Sequence, residues 1–293
     1  GHSNVAVGKD ALTANTTGSL NTAVGLSALA SNTTAGTNTA VGRSALTANT
    51  TGANNVSLGY EALGDNTTAA GNAATGYKAL RFNTTGASLS AFGAYALYNN
   101  TTASNNTAVG YDSLSSNTTG GQNAAVGTYA LNSNTTGGNN VAFGYSALNS
   151  NTTASNNTAM GREALSANTT GYDNTAFGKD SLKANTTGYM NVAIGRDALK
   201  ANTTGLLNVA IGREAMFTGT DGEENVAIGR NALKVCSGDR NTGVGNLAGH
   251  EISSGDNNVC IGNDAGRATS PSGSIVGGSN KVVLGNNSTA NAY

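Results

Sequence analysis

The sequence predicts an all-β fold, a parallel solenoid or β-roll of about sixteen coils with seventeen residues in each. Three observations carry this prediction. Glycine recurs every seventeen residues, at Gly8, Gly25, Gly42, Gly59, Gly76, Gly93, Gly110, Gly127, Gly144, Gly161, Gly178, Gly195, Gly212 and Gly229. The residues around it recur as well, as N-[T/V]-A-[V/I/F]-G-x-x-A-L-x-x-N-T-T-G-x-x, and so regular a period means one conformation stacked along an axis. Around each glycine the apolar residues alternate with period two, and 41 glycines in 293 residues argue against helix. Function in such a rod, roughly 75 Å long at ~4.8 Å per coil, is sought on its surfaces and ends.

The unit is read in order. Asn191-Val192-Ala193-Ile194-Gly195 forms a strand, and pairs such as Val5/Val7, Val56/Leu58, Val141/Phe143, Val209/Ile211 and Val226/Ile228 are assigned to its inner face. Leu199 and its counterparts supply a second short strand and the opposing wall of a thin apolar core. The position between the flanking pair is alanine in thirteen of fourteen coils, with Ser57 the exception. Uniform alanine is read as an outer surface packed against identical subunits, which points to a closed trimer about the axis. The Asn-Thr-Thr turn occurs twelve times, from Asn15 to Asn202. Each copy matches the N-glycosylation pattern, yet stacked turns favour a ladder of amide hydrogen bonds. The small residue that follows permits a tight turn.

The two positions after the glycine vary. Through the middle of the chain they hold Tyr60, Tyr77, Tyr95, Tyr111, Tyr129 and Tyr145; from residue 162 they hold Arg162-Glu163, Lys179-Asp180, Arg196-Asp197 and Arg213-Glu214. Of 31 charged residues, 23 lie beyond position 150, which predicts parallel columns of opposite charge on a solvated face. Regularity fails after Asn231. Residues 1–3 read as a tag remnant, 4–262 as the repeat shaft and 263–293, with Pro271, as a cap or transition segment.

Chemistry is sparse. Net charge is -1 and 11% of residues are charged, which gives no case for nucleic acid. No apolar run approaches the ~18 residues of a membrane span. Cys236 and Cys260 are expected to be unpaired, Cys260 as a buried thiol. His250 beside Glu251 reads as structural. No catalytic constellation, metal cluster or cofactor cradle is found, so an enzyme is not expected.

The motif N-[T/V]-A-[V/I]-G-x-x-A, as in Asn191–Gly195, resembles the head repeat of trimeric autotransporter adhesins. The longer unit ending A-L-x-x-N-T-T-G resembles shafts of phage-tail-fibre-type proteins. The resemblance covers residues 4–262 and implies a left-handed parallel β-roll, a homotrimer, an extracellular place on a bacterial surface or virion, and attachment to a glycan or protein of a target cell. The adhesin unit is usually shorter than seventeen. Recognition needs unique sequence, so Phe217, Glu223, Glu224, His250, Arg267 and Tyr293 are the candidate contacts, with the column Tyr60, Tyr77, Tyr111 and Tyr145 as the alternative. Two other functions are weighed. A tail-fibre shaft could act only as a spacer. An ice-binding solenoid needs an exposed threonine face, whereas Thr22, Thr39, Thr107, Thr158 and Thr175 are read as pointing inward.

Overall fold

In a computed structural model of the chain, residues 1–268 and 274–285 are described. They contain seventeen three-residue strands and no helix. The chain divides into two compact units, Gly1–Ser146 with Asn151–Thr153, and Ala147–Ser150 with Ala154–Tyr293. The first holds β1 (Val5–Val7), β2 (Thr22–Val24), β3 (Thr39–Val41), β4 (Val56–Leu58), β5 (Ala73–Thr75), β6 (Ser90–Phe92), β7 (Thr107–Val109), β8 (Ala124–Val126) and β9 (Val141–Phe143). The second holds β10 (Thr158–Met160), β11 (Thr175–Phe177), β12 (Val192–Ile194), β13 (Val209–Ile211), β14 (Val226–Ile228), β15 (Thr242–Val244), β16 (Val259–Ile261) and β17 (Val282–Leu284). Within each unit every strand pairs in parallel with the next, one coil on. The register sets Ala6 beside Ala23 and Ala193 beside Ala210. Each unit is therefore a parallel β-solenoid. The step shortens to 16 residues between β14 and β15 (Val226 to Thr242) and lengthens to 23 between β16 and β17 (Val259 to Val282).

Inside and outside are the reverse of the sequence expectation. The alanines at the strand centres, Ala23, Ala40, Ala74, Ala91 and their successors, are fully buried in the coil. The flanking residues face outward, with Val41 38%, Phe92 44% and Phe143 53% exposed. The reason is the space inside the coil. Alternation lets either the central residue or the flanking pair point inward, and the interior is too tight for the larger pair. Gly243 stands in this row, and a Cβ at that position would lie 2.8 Å from Leu233 Cγ and 2.9 Å from the Ala248 carbonyl. Ser57 keeps to the same face and satisfies its hydroxyl by donating to the Ala62 carbonyl at 2.7 Å. Alanine recurs because the coil interior admits little larger.

The expected second strand is a turn. Its leucines are fully buried but hold left-handed backbone: Leu29 φ 51°, Leu131 φ 51°, Leu199 φ 48°. Such a conformation costs a non-glycine residue roughly 1–2 kcal/mol. Stacking overrides that cost: Leu29 N–H donates to the Ala45 carbonyl of the next coil at 3.1 Å, while its side chain fills the core. The repeat glycine answers two demands. Gly25 has φ 136°, and a Cβ on it would stand 2.5 Å from the Gly42 carbonyl oxygen.

The Asn-Thr-Thr ladder is present. Asn49 Nδ2 donates to Asn32 Oδ1 at 3.0 Å and to the Gly52 carbonyl at 2.9 Å, and the same pair of bonds recurs at Asn66 and Asn117. These asparagines are buried and both amide hydrogens are used, so the folded turn has no room for a glycan on Nδ2. A second ladder, absent from the sequence reading, runs through the asparagine that precedes most strands, with Leu89 standing in its place before β6. Asn38 Oδ1 accepts the Asn55 N–H at 2.9 Å, and Asn38 Nδ2 donates to the Gly52 carbonyl at 2.9 Å. Both ladders thus converge on one carbonyl per coil.

Candidate functional site

Three surfaces repeat along the coils. The first is the outward face of the strands. In the first unit it presents Val41, Val56, Leu58, Phe92, Val109, Val141 and Phe143, and in the second Phe177, Ile194, Ile211, Ile228 and Ile261, all exposed. Aligned by the parallel register, the last residues of the strands make a column that is apolar except at Thr75 of β5. Exposed apolar surface of this extent is uncommon on a single chain. Thr22, Thr39, Thr107, Thr158 and Thr175 also lie on this face, half-buried or exposed. They point outward and not, as the sequence reading has it, inward.

The second surface is the corner after the glycine in the first unit. Six tyrosines touch in sequence. Tyr60 stacks on Tyr77 at 5.3 Å with planes 11° apart, and the contacts then continue nearly at right angles. Tyr77–Tyr95 is 5.3 Å, Tyr95–Tyr111 6.2 Å, Tyr111–Tyr129 5.7 Å and Tyr129–Tyr145 6.2 Å. Edge-to-face pairs of this kind are favourable arrangements for ring quadrupoles. Arg43 lies 5.5 Å from the Tyr60 centroid and Lys78 5.3 Å from that of Tyr77. The Tyr60, Tyr95 and Tyr111 hydroxyls are held above the usual phenol range. For Tyr60 the cause is first its hydrogen bond to Glu61, for Tyr95 burial, and for Tyr111 the Asp112 charge.

The third surface is the same corner in the second unit. An acidic column of Glu163, Asp180, Asp197 and Glu214 runs between two basic ones. On one side Arg213 reaches Glu214 at 3.0 Å; on the other Lys200 reaches Asp197 at 2.8 Å and Lys234 reaches Glu214 at 3.1 Å. Lys183 bridges Glu163 and Asp180. The charges pair with one another in parallel columns, as the sequence predicts, with the basic groups solvated and Asp180 buried.

The predicted C-terminal contacts do not converge on one place. Phe217, His250 and Arg267 occupy the same position in their coils, five residues after Gly212, Gly245 and Gly262. Phe217 lies between Lys200 and Lys234, whose ammonium groups are 5.6 and 5.5 Å from its ring. His250 is half-buried, and burial first, then Arg267, depresses its pKa. Arg267 pairs with Asp264 at 2.7 Å and Glu251 at 3.6 Å. Glu223 and Glu224 stand on a different corner, exposed, where Glu223 N–H donates to Asp239 at 3.0 Å. Tyr293 lies outside the described residues, as does Pro271. Cys236 and Cys260 are buried and unpaired, and burial pushes each thiol up to about 11. Among the described residues no three His, Cys, Asp or Glu side chains are grouped to hold a metal ion.

No protein-family profile matches this chain, nor does any curated protein or solved structure. The fold, the repeat and these surfaces are what any functional reading rests on.

Proposed function

We propose that this chain is a segment of a non-enzymatic, homotrimeric surface fibre of the trimeric-adhesin or tail-fibre kind, which presents an attachment surface outside the cell or virion. The observation that supports it is the apolar column on the outward strand face. Such a column would be costly in water along nearly every coil, and a second copy of the same column is its natural cover. The subunit contact is thus assigned to the Val, Ile and Phe side chains and not to the buried alanines. Cyclic symmetry about the coil axis keeps all copies pointing one way, as a stalk requires. The number three comes from the resemblance of the repeat to trimeric adhesin heads.

Light scattering on the whole chain tests this directly. Three chains per particle are expected, and Ile194→Asp with Ile211→Asp is expected to give single chains or aggregates. A monomeric wild-type particle overturns the proposal.

Ice binding stays second. The outward turn of the strand threonines favours it more than the sequence did, but Val, Ala and Ser interrupt that column and Phe, Met and Ile fill the one beside it. Thermal hysteresis in the purified chain would reverse the order.

A further inference from the structure

We propose that the tyrosine corner of the first unit is a binding strip for an extended, neutral β-linked polysaccharide, with Tyr77, Tyr111 and Tyr145 as its stacking platforms. The proposal takes its ligand's setting, a cell-surface polymer, from the fibre reading. Its geometry needs one chain only.

The backbone does not call for aromatic residues here. In the second unit, from Arg162 to Glu214, the same two corner positions hold Arg or Lys and then Asp or Glu on the same left-handed backbone: Glu163 has φ 57° and Asp197 φ 61°. Nor do the tyrosines keep one position. Tyr77, Tyr111 and Tyr145 directly follow the glycine, whereas Tyr95 and Tyr129 are one residue further on, in left-handed conformation at φ 59°. A bulky residue is unusual in that region. Every coil from 60 to 145 nevertheless contributes one ring to a single unbroken strip.

The two kinds of tyrosine play different parts. Tyr95 and Tyr129 are half-buried and stand almost perpendicular between the others, as wedges. Tyr77, Tyr111 and Tyr145 are 44%, 46% and 49% exposed. They recur every 34 residues, which is two coils, or about 10 Å at the parallel strand spacing. A polymer that matches this register must advance by about one coil per residue and return the same face at every second residue. An extended β-linked glycan with alternating sugars has that symmetry, and its axial C–H faces are apolar surfaces suited to an aromatic ring. Its equatorial hydroxyls would meet the tyrosine hydroxyls and Asp112, which lies on the strip beside Tyr111. An α-linked, coiling glycan does not keep the two-coil register. Each platform alone binds weakly, and three in line, on each copy of an assembly, give avidity.

The test is calorimetric titration of the full chain with the β-1,4-linked glucose hexamer and the β-1,4-linked N-acetylglucosamine hexamer, against the α-1,4-linked glucose hexamer. The chain lacks tryptophan, so its emission reports tyrosine only and gives a second readout. Expected are binding of at least one β-linked hexamer, affinity rising at least tenfold from dimer to hexamer, and loss of at least tenfold in the variant Tyr77→Ala/Tyr111→Ala/Tyr145→Ala. That variant should fold, because Ala94 and Thr128 fill the equivalent positions of neighbouring coils. Tyr172→Ala/Tyr189→Ala, which removes a stacked pair elsewhere, should bind as wild type. No binding of either β-linked hexamer at millimolar concentration, equal binding of the α-linked hexamer, or full binding by the triple variant would each overturn the assignment. Light scattering on the same samples separates the two proposals: single chains that bind the glycan refute the fibre alone, and trimers that ignore it refute the strip alone.

Discussion

The two units share a backbone and differ at one corner. In the first, the residues after the repeat glycine carry tyrosines in mutual contact; in the second they carry carboxylates sandwiched between Arg and Lys. The left-handed second corner residue is common to both, at Tyr95 φ 59° and Asp197 φ 61°. The comparison teaches where the fold's demands stop. Glycine, alanine, leucine and two asparagines close the coil, and the corner between glycine and alanine is left to chemistry.

If the units are equivalent below the corner, the largest effects should fall on both alike. Gly110→Ala in the first and Gly195→Ala in the second each place a Cβ 2.7 Å from the backbone of the next coil, at φ 130° and 129°. A destabilisation on the order of 3 kcal/mol or more is expected for each, read as a large drop in thermal midpoint by circular dichroism. A mild effect in one unit only would break the equivalence. Next come the ladder variants Asn117→Ala and Asn185→Ala, which remove amides that bond at 2.8–3.0 Å to the preceding asparagine and to a turn carbonyl. About 1–3 kcal/mol each is expected, since buried acceptors lose their donors.

The smallest effect separates the units. Glu163 and Glu214 are held below the ordinary glutamate range, first by their hydrogen bonds from Lys183 and Lys234. A carboxylate with a lowered folded pKa stabilises above its unfolded value, about 4.3, and that contribution is lost as pH falls through the folded pKa. Glu163→Gln/Glu214→Gln should therefore lower the melting midpoint at pH 7 by no more than about 2 °C, as solvated pairs contribute little. The difference should shrink as pH falls below the unfolded value and through the lowered folded pKa, and shrink in molar salt.

Periodicity made the solenoid, its coil length and the Asn-Thr-Thr ladder legible, because each is a repeating constraint on identical neighbours. It could not assign the faces. Alternation around Ala193 fits either orientation, and only the tightness of the coil interior decides that the small residue goes inside. The turn at Leu199 was hidden for a related reason: its backbone is set by the hydrogen bond to the next coil, which outweighs leucine's own preference. The second asparagine ladder had a visible signal, since Asn precedes most strands in the chain. The wedge-and-platform order of the tyrosines was visible too, as the alternation of Tyr between first and second corner positions.

The close approach at the repeat glycine also bears on heredity. Because each glycine lies against the backbone of the glycine one coil on, an insertion near it disturbs the whole stack, whereas the gain or loss of an entire coil disturbs nothing. The gene should therefore change length in blocks of 17 codons, by duplication and unequal exchange. The coils that depart from that length, with 16 and 23 residues, keep their strands in register. A lineage of such proteins would carry its history as a count.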